Sequence, residues 1–194
     1  MPADREALRL EDRERIREVL YRYSRAIDRR DLDLMMSCYH PDSVDQHASF
    51  TGSGPEFCSY AMAQLKRSIF TQHRITNILI DFDGDRAFTE CYVHAIHRVR
   101  SNAGLVDYVH CGRYCDILEL RAGEWRLAYR LHIPDGDSFG PIQEPEGRRS
   151  VGEEPTRYYV RGRAGPDDAS YLKFEIPALR RDVPPIDVAH SRND

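Results

Sequence analysis

The chain has no long apolar run and no strong excess of charge of either sign. No stretch of its 194 residues approaches the roughly 18 apolar residues that a membrane span requires. The formal net charge of −4 offers no long-range attraction to nucleic acid or to an anionic membrane. The opening segment, MPADREALRLEDRER, is charged where a signal peptide would be apolar. We therefore expect a cytoplasmic, soluble protein with one domain, with or without an appended tail.

Motifs typical of a cofactor-binding or metal-binding site are also missing. The five cysteines form an odd set without a CxxC pair, so we expect buried thiols rather than a disulfide framework or a zinc site. His94 and His97 form an HxxH spacing, but they lie in a strand pattern, where residues three apart point to opposite faces. With no nucleotide-binding loop and no GxSxG elbow, the sequence predicts neither a metal nor a cofactor.

The first part of the chain has helical periodicity. Residues 10–27 carry one apolar stripe, formed by Ile16, Val19, Leu20, Tyr23 and Ile27. Asp31 is a good N-cap for a second helix that we expect to run to Pro41. A short strand is expected at 44–50, and Pro55 opens a third helix.

From His73 onward the period changes to that of strands. Four strand patterns follow one another, separated by turns at 83–85, 101–104 and 121–124. Helices followed by an antiparallel meander predict an α+β domain over residues 1–135. The remaining residues, 136–194, are rich in Gly, Pro and charge. We expect an extended arm that packs on a neighbouring subunit, with disorder as the alternative, and short strands or anchoring segments in RYYVRGR and ASYLKFEIPAL.

Strand alternation sorts the polar candidates onto faces. His94 shares a face with Phe88, Tyr92 and Ile96, His110 with Gly112 and Tyr114, and His132 with Arg126, Ala128 and Arg130. Buried polar groups need partners, so a polar-lined ligand cavity is the favoured interpretation, and a surface cluster is the alternative. Because both faces carry large residues, we also expect an oligomer.

Asp28 and His73 are the candidates for chemistry. A carboxylate that orients a neutral imidazole makes a general base near neutral pH. Asp28 lies about 120° around the helical wheel from Ile16, which puts it beside the apolar stripe rather than on it. This position permits an inward carboxylate at a cavity rim, and a solvated or turn-forming Asp remains the alternative.

Over residues 10–135 the sequence resembles the SnoaL-like branch of the nuclear transport factor 2-like superfamily. The resemblance lies in YRYSRAIDRRDLDLMMSCYHPDS, in HRITN, in GRYCDILELRAGEWRLAYR and in the order of elements. It implies a cone-shaped α+β barrel with three N-terminal helices packed on a curved antiparallel sheet. The similar catalytic patterns are those of scytalone dehydratase, hexachlorocyclohexane dehydrochlorinase and bile-acid 7α-dehydratase.

The resemblance also implies roles for particular residues. In those enzymes an Asp at the end of the first helix holds a His that removes a proton, and Asp28 and His73 occupy the matching positions. Asn77 follows His73 as in the dehydrochlorinase, and Arg130 matches that enzyme's active-site arginine. Tyr23 stands where the dehydrochlorinase has lysine and the bile-acid dehydratase has tyrosine, which favours a hydroxyl leaving group.

The same resemblance completes the expected substrate site. His47 falls where both dehydratases place a second tyrosine, and His94 and His110 fall on cavity-lining strand positions. The expected set is therefore catalytic Asp28 and His73, with substrate-binding Tyr23, His47, His94, His110, Arg130 and His132.

The predicted function is that of a cofactor-independent lyase or isomerase. The resemblance implies an aromatic, polyketide-like or steroid-like substrate and a homo-oligomer, a trimer ahead of a dimer. Neither nucleic acid nor a membrane is an expected partner. Two other functions stay open at this point: a non-catalytic ligand-binding or assembly module, and the small subunit of a ring-hydroxylating dioxygenase.

Overall fold

The computed structural model describes residues 2–102, 104–142 and 162–173, with side chains from residue 9 onward. Its elements are α1 (Pro2–Arg29), α2 (Leu32–Ser37), β1 (Tyr39–His47), β2 (Phe50–Ser53), α3 (Gly54–Leu65), β3 (Ser68–Asp83), β4 (Arg86–Ser101), β5 (Gly104–Arg121) and β6 (Glu124–Pro141). The chain divides into two compact units, residues 1–143 and 144–194. Across the described ranges, none of the helices has the length and apolar character that crossing a bilayer requires.

The helix starts follow the capping chemistry of the sequence. Asp31 is the N-cap of α2, and its side chain accepts a hydrogen bond from the backbone N–H of Leu34 at 3.0 Å. Ser53 and Glu56 form a capping box at the start of α3, with Pro55 in its first turn. The second helix ends at Ser37, earlier than predicted, and Pro41 lies within β1.

The sheet has six strands in the order β2-β1-β6-β5-β4-β3. Its neighbours are antiparallel except for β1 and β6, which run parallel. The helices pack on one face of this curved sheet, which does not close, and the α+β prediction is confirmed. We call the face toward the helices the inner face and the opposite one the outer face.

The last strand is longer than the sequence indicated. Residues 136–141 belong to β6 and pair with residues 106–111 of β5, although their Gly and Pro content was typical of an arm. The length of β5 supplies partners for these backbone groups. In the second unit, residues 169–173 form a 3₁₀ turn rather than a strand. RYYVRGR lies almost wholly outside the described residues, as does the rest of the expected arm at 143–161 and 174–194.

Two bulges in β6 decide which side chains reach the inner face. Between the pairs Leu118–Leu127 and Ile117–Tyr129, β6 carries one extra residue. Leu127 and Trp125 are therefore buried on the same side as Arg130 and His132, whereas strict alternation put them on opposite faces. A second extra residue, Asp135, lies between the pairs Gly112–Pro134 and Cys111–Gly136.

Candidate active site

Asp28 and His73 meet where the last turn of α1 packs against β3. His73 Nδ1 lies 2.8 Å from Asp28 Oδ1, and the backbone N–H of His73 also donates to both carboxylate oxygens, at 3.1 and 3.0 Å. The backbone N–H of His73 holds the Asp28 carboxylate in place. Because a carboxylate accepts hydrogen bonds, Nδ1 is the protonated nitrogen of the neutral His73 imidazole. Within the described chain Nε2 makes no hydrogen bond, which leaves it available to accept a proton.

A pocket of about 400 Å³ adjoins this pair. Its lining consists of Tyr21, Ser24, Arg25, Asp28 and Arg29 from α1, with His73 and Ile75 from β3. Both members of the pair therefore face a space large enough for a small organic molecule. The two arginines bring positive charge to its edge.

His97 on β4 covers another side of His73. The two rings meet edge to face with centroids 5.2 Å apart. Burial first, and then the charge of His73, lower the pKa of His97 to about 4, so His97 is neutral at physiological pH. A neutral neighbour does not compete with His73 for the charge that proton uptake creates.

Arg130, the expected active-site arginine, is fully buried in an ion pair. Its Nε and Nη2 donate to the two oxygens of Asp116 at 2.8 and 2.7 Å, and neither side chain is exposed. The guanidinium also lies 4.0 Å from the ring centres of Tyr23 and Tyr114. Burial disfavours its charge, but Asp116 outweighs this and raises the pKa of Arg130 above its ordinary value.

Tyr23 and His47 share the interior with Arg130. The Tyr23 hydroxyl is buried without a hydrogen-bond partner in the described residues, and burial raises its pKa well above the ordinary value. His47 is stacked between Phe57 and His132, with ring centroids 4.5 and 4.1 Å away. Burial lowers the pKa of His47 as well. Tyr23, His47 and Arg130 are not part of the lining of the pocket beside Asp28.

His94 lies on the other side of the sheet. The buried residues of β4 are Ala87, Thr89, Cys91, Val93 and Ala95, whereas Tyr92 is 49% exposed on the face that His94 shares. The expected inward position of His94 is therefore corrected, and His97 takes the inner position. The small residues at every second position of β4 indicate that their own face is the buried one. The aromatic residues at the alternate positions suggested instead that the face with His94 is buried.

His110 and His132 are brought together in the interior. Their Nε2 atoms are 2.7 Å apart, and His110 Nδ1 lies 2.5 Å from Asp137 Oδ1. Burial first, then the charges of His47 and His110, lower the pKa of His132 to about 3. Asp137 was not among the expected site residues, because strict alternation puts it on the face opposite His132. The bulge at Asp135 reverses that relation.

No cluster of three or more His, Cys, Asp or Glu side chains with the geometry of a metal site occurs in the described parts of the chain. The free cysteines Cys38, Cys58 and Cys91 are buried, and Cys111 is exposed.

Residues 8–131 match the SnoaL-like domain. The chain belongs to the SnoaL-like domain family. Among solved structures, a candidate scytalone dehydratase from Novosphingobium aromaticivorans is 21% identical with a TM-score of 0.62, covering 73% of this chain and 97% of that one. A type 2 hexachlorocyclohexane dehydrochlorinase, LinA, is 18% identical with a TM-score of 0.64, covering 72% and 97%. The Kfla4162 protein from Kribbella flavida is 22% identical with a TM-score of 0.62, covering 66% and 93%.

These similarities confirm the fold and the family that the sequence suggested. No match was found among curated proteins. The SnoaL-like domain ends within β6, so the matched residues contain both Asp28 and His73 but not Asp137.

Proposed function

We propose that this SnoaL-like protein is a cofactor-independent lyase or isomerase in which Asp28 and His73 act as a catalytic dyad. The observation that carries the proposal is that Asp28 accepts hydrogen bonds from both the ring and the backbone N–H of His73. Together they fix the ring, its tautomer and its orientation beside the pocket.

The reaction begins at a carbon that a neighbouring carbonyl group makes acidic. His73 Nε2 removes the proton, and Asp28 stabilises the imidazolium that forms. Arg25 and Arg29 lie at the edge of the same pocket and favour the negative charge that develops on the carbonyl oxygen. Loss of a hydroxyl group from the adjacent carbon gives dehydration, and return of the proton elsewhere gives isomerisation.

The substrate class follows from the size and lining of the pocket. About 400 Å³ accommodates a compound of one or two fused rings, and Tyr21 and Ile75 provide apolar contact. A small aromatic or polyketide-like molecule with carbonyl and hydroxyl groups fits this description.

Proton exchange in heavy water tests the dyad directly. The compound 1-tetralone has exchangeable hydrogens beside its carbonyl and no leaving group, so deuterium uptake measured by mass spectrometry reports proton abstraction alone. We expect wild-type protein to accelerate uptake, and His73→Ala and Asp28→Asn to lower the rate about 10²–10⁴-fold.

Asp31→Asn is the matched control, because Asn serves equally well as an N-cap and the change lies three residues from Asp28. Equal exchange by His73→Ala and wild type would overturn the dyad. Retention of 1-tetralone binding in that case would favour a non-catalytic ligand-binding module.

The oligomeric state remains a prediction. The outer face exposes several large apolar side chains, including Leu79 at 63% and Tyr92 at 49%. Their exposure supports a further copy of the chain on this face. We expect a trimer, and light scattering coupled to size-exclusion chromatography gives the mass that separates it from a dimer.

A further inference from the structure

Three side chains of β5 and β6 form a hydrogen-bonded row that the dyad does not use. Asp137 Oδ1 contacts His110 Nδ1 at 2.5 Å, and His110 Nε2 contacts His132 Nε2 at 2.7 Å. The Tyr108 hydroxyl donates to the same oxygen of Asp137 at 2.8 Å. The Asp137 side chain is 44% exposed, whereas His110 and His132 are each 8% exposed. The row therefore leads from solvent into the interior.

The backbone is shaped for this row. A Cβ atom on Gly112 would lie 2.7 Å from His110 Nε2 and 3.2 Å from His132 Nε2, so only glycine leaves room for the contact between the rings. The extra residue Asp135 places Asp137 opposite His110 on the inner face.

A hydrogen bond between two imidazole nitrogens needs one proton between them, so the protonation states of the two rings are linked. With His110 neutral, Nδ1–H donates to Asp137, Nε2 accepts from His132, and His132 Nδ1 carries a lone pair. With one more proton, His110 is an imidazolium beside Asp137, its Nε2–H donates to His132, and His132 Nδ1 carries a hydrogen. The protonation of the row thus decides whether His132 Nδ1 accepts or donates.

His132 Nδ1 is the inner end of the row. It is buried and has no hydrogen-bond partner within the described residues. The charge of the protonated row resides on His110, because the carboxylate of Asp137 lies beside that ring and burial disfavours charge on His132. The other titratable or charged side chains around the row are His97 on β4, Tyr108 and Tyr114 on β5, Arg130 and Asp135 on β6, and Asp45 and His47 on β1.

The row and the dyad lie on the same face of the sheet. Ala95 is the cross-strand partner of both His73 and His110. Neighbouring strands are about 4.8 Å apart, so the backbones of His73 and His110 are separated by roughly 10 Å. Ala95 lies between them, and the His97 ring packs against His73 beside it.

We propose that Asp137, His110 and His132 form a proton relay that serves as the general acid of the reaction. The inference rests on the proposed function of the dyad. As His73 takes the proton from carbon, the carbon–oxygen bond on the adjacent carbon breaks and its electron pair leaves with oxygen. His132 Nδ1 gives its proton to that oxygen, and His110 Nε2 passes its own to His132. Water leaves and the relay ends neutral. Before the next turnover His73 releases its proton to solvent, and solvent protonates the relay. Asp137 is a positioning residue that stabilises the His110 imidazolium.

Two probes separate the relay from the dyad. The compound 3-hydroxy-1-tetralone loses water to give fluorescent 1-naphthol, whereas deuterium uptake by 1-tetralone requires proton abstraction only. We expect His132→Gln and Asp137→Asn to lower 1-naphthol formation about 10²-fold or more, and to lower exchange far less. His73→Ala should lower both.

The matched control is Asp135→Asn. Asp135 is two residues from Asp137 and similarly exposed, at 40%, but it pairs with Arg113 at 3.0 Å rather than with the relay. Elimination by Asp137→Asn at the rate of Asp135→Asn would overturn the relay. Parallel losses of elimination and exchange in the relay variants would also overturn it.

Nitrogen-15 NMR on histidine-labelled protein tests the relay without a substrate. We expect a scalar coupling between His110 Nε2 and His132 Nε2 across their shared proton. We also expect the His110 Nδ1 chemical shift to change in Asp137→Asn and to stay the same in Asp135→Asn, because Asp137 Oδ1 lies 2.5 Å from His110 Nδ1. Absence of the coupling, or an unchanged His110 Nδ1 shift in Asp137→Asn, overturns the relay even when neither tetralone reacts. Failure of exchange alone, with the coupling present, contradicts the dyad and leaves the relay geometry supported.

Discussion

Replacing Arg130 by methionine removes one partner of a fully buried ion pair. Asp116 then keeps its charge in the interior without the two hydrogen bonds it now accepts at 2.8 and 2.7 Å. Breaking a buried pair in this way costs about 3–5 kcal/mol of unfolding free energy. In a domain of this size each kcal/mol shifts the melting temperature by about 2–4 °C, so we expect a fall of roughly 6–20 °C.

Urea unfolding of the wild type, of Arg130→Met and of a double variant measures this cost. The double variant Arg130→Met/Asp116→Leu removes both charges and fills the space with apolar groups, so we expect it to be considerably more stable than Arg130→Met alone. In the single variant, burial holds the folded-state pKa of Asp116 above its unfolded value. The destabilisation is therefore full above the folded-state pKa and decreases as the pH falls through it.

Wild-type stability of Arg130→Met would refute this reasoning and would favour the substrate-binding role that the family resemblance implied. A double variant as unstable as the single one would show that the loss comes from the contacts with Tyr23 and Tyr114 rather than from the stranded carboxylate.

Three further predictions concern single residues. Cys111, the exposed thiol, should react fastest with a disulfide reagent in the native state, and Cys111→Ser should remove that phase, because burial raises the pKa of Cys58 and Cys91 to about 12. Asp31→Ala should cost about 1 kcal/mol by urea unfolding, with Asp31→Asn near wild type. Gly112→Ala should lower the unfolding free energy by about 1–3 kcal/mol, because the added Cβ would lie 2.6 Å from a carbonyl oxygen. It should also abolish the coupling between His110 and His132, and a wild-type-like NMR spectrum would contradict this.

Local patterns were sufficient for most of the fold. The apolar stripe of α1, the N-cap at Asp31 and the turns of the meander depend on residues within a few positions of one another. Such interactions can be recognised in a sequence because local backbone geometry determines them. The partnership of Asp28 with His73 came from the family resemblance, and the structure shows the two side chains in contact.

Face assignments on the strands were less secure, for two physical reasons. On β4 the aromatic residues belong to the alternating set that includes His94, which suggested that the helices cover this set, and His94 was assigned to the wrong face. On β6 each bulge inserts a residue that reverses the alternation. This reversal of the inward and outward positions depends on how β6 pairs with β5, and no local sequence pattern indicates it.

The sequence by itself determined the α+β class and the candidate base, because periodicity, capping and a family resemblance are properties of the linear chain. The tertiary structure decided that Arg130 is sealed in an ion pair with Asp116, a contact made between neighbouring strands. It also decided that β6 continues to Pro141 and that Asp137, His110 and His132 form one row. These features depend on the register between β5 and β6, which long-range backbone pairing sets and which shifts by one residue at each bulge.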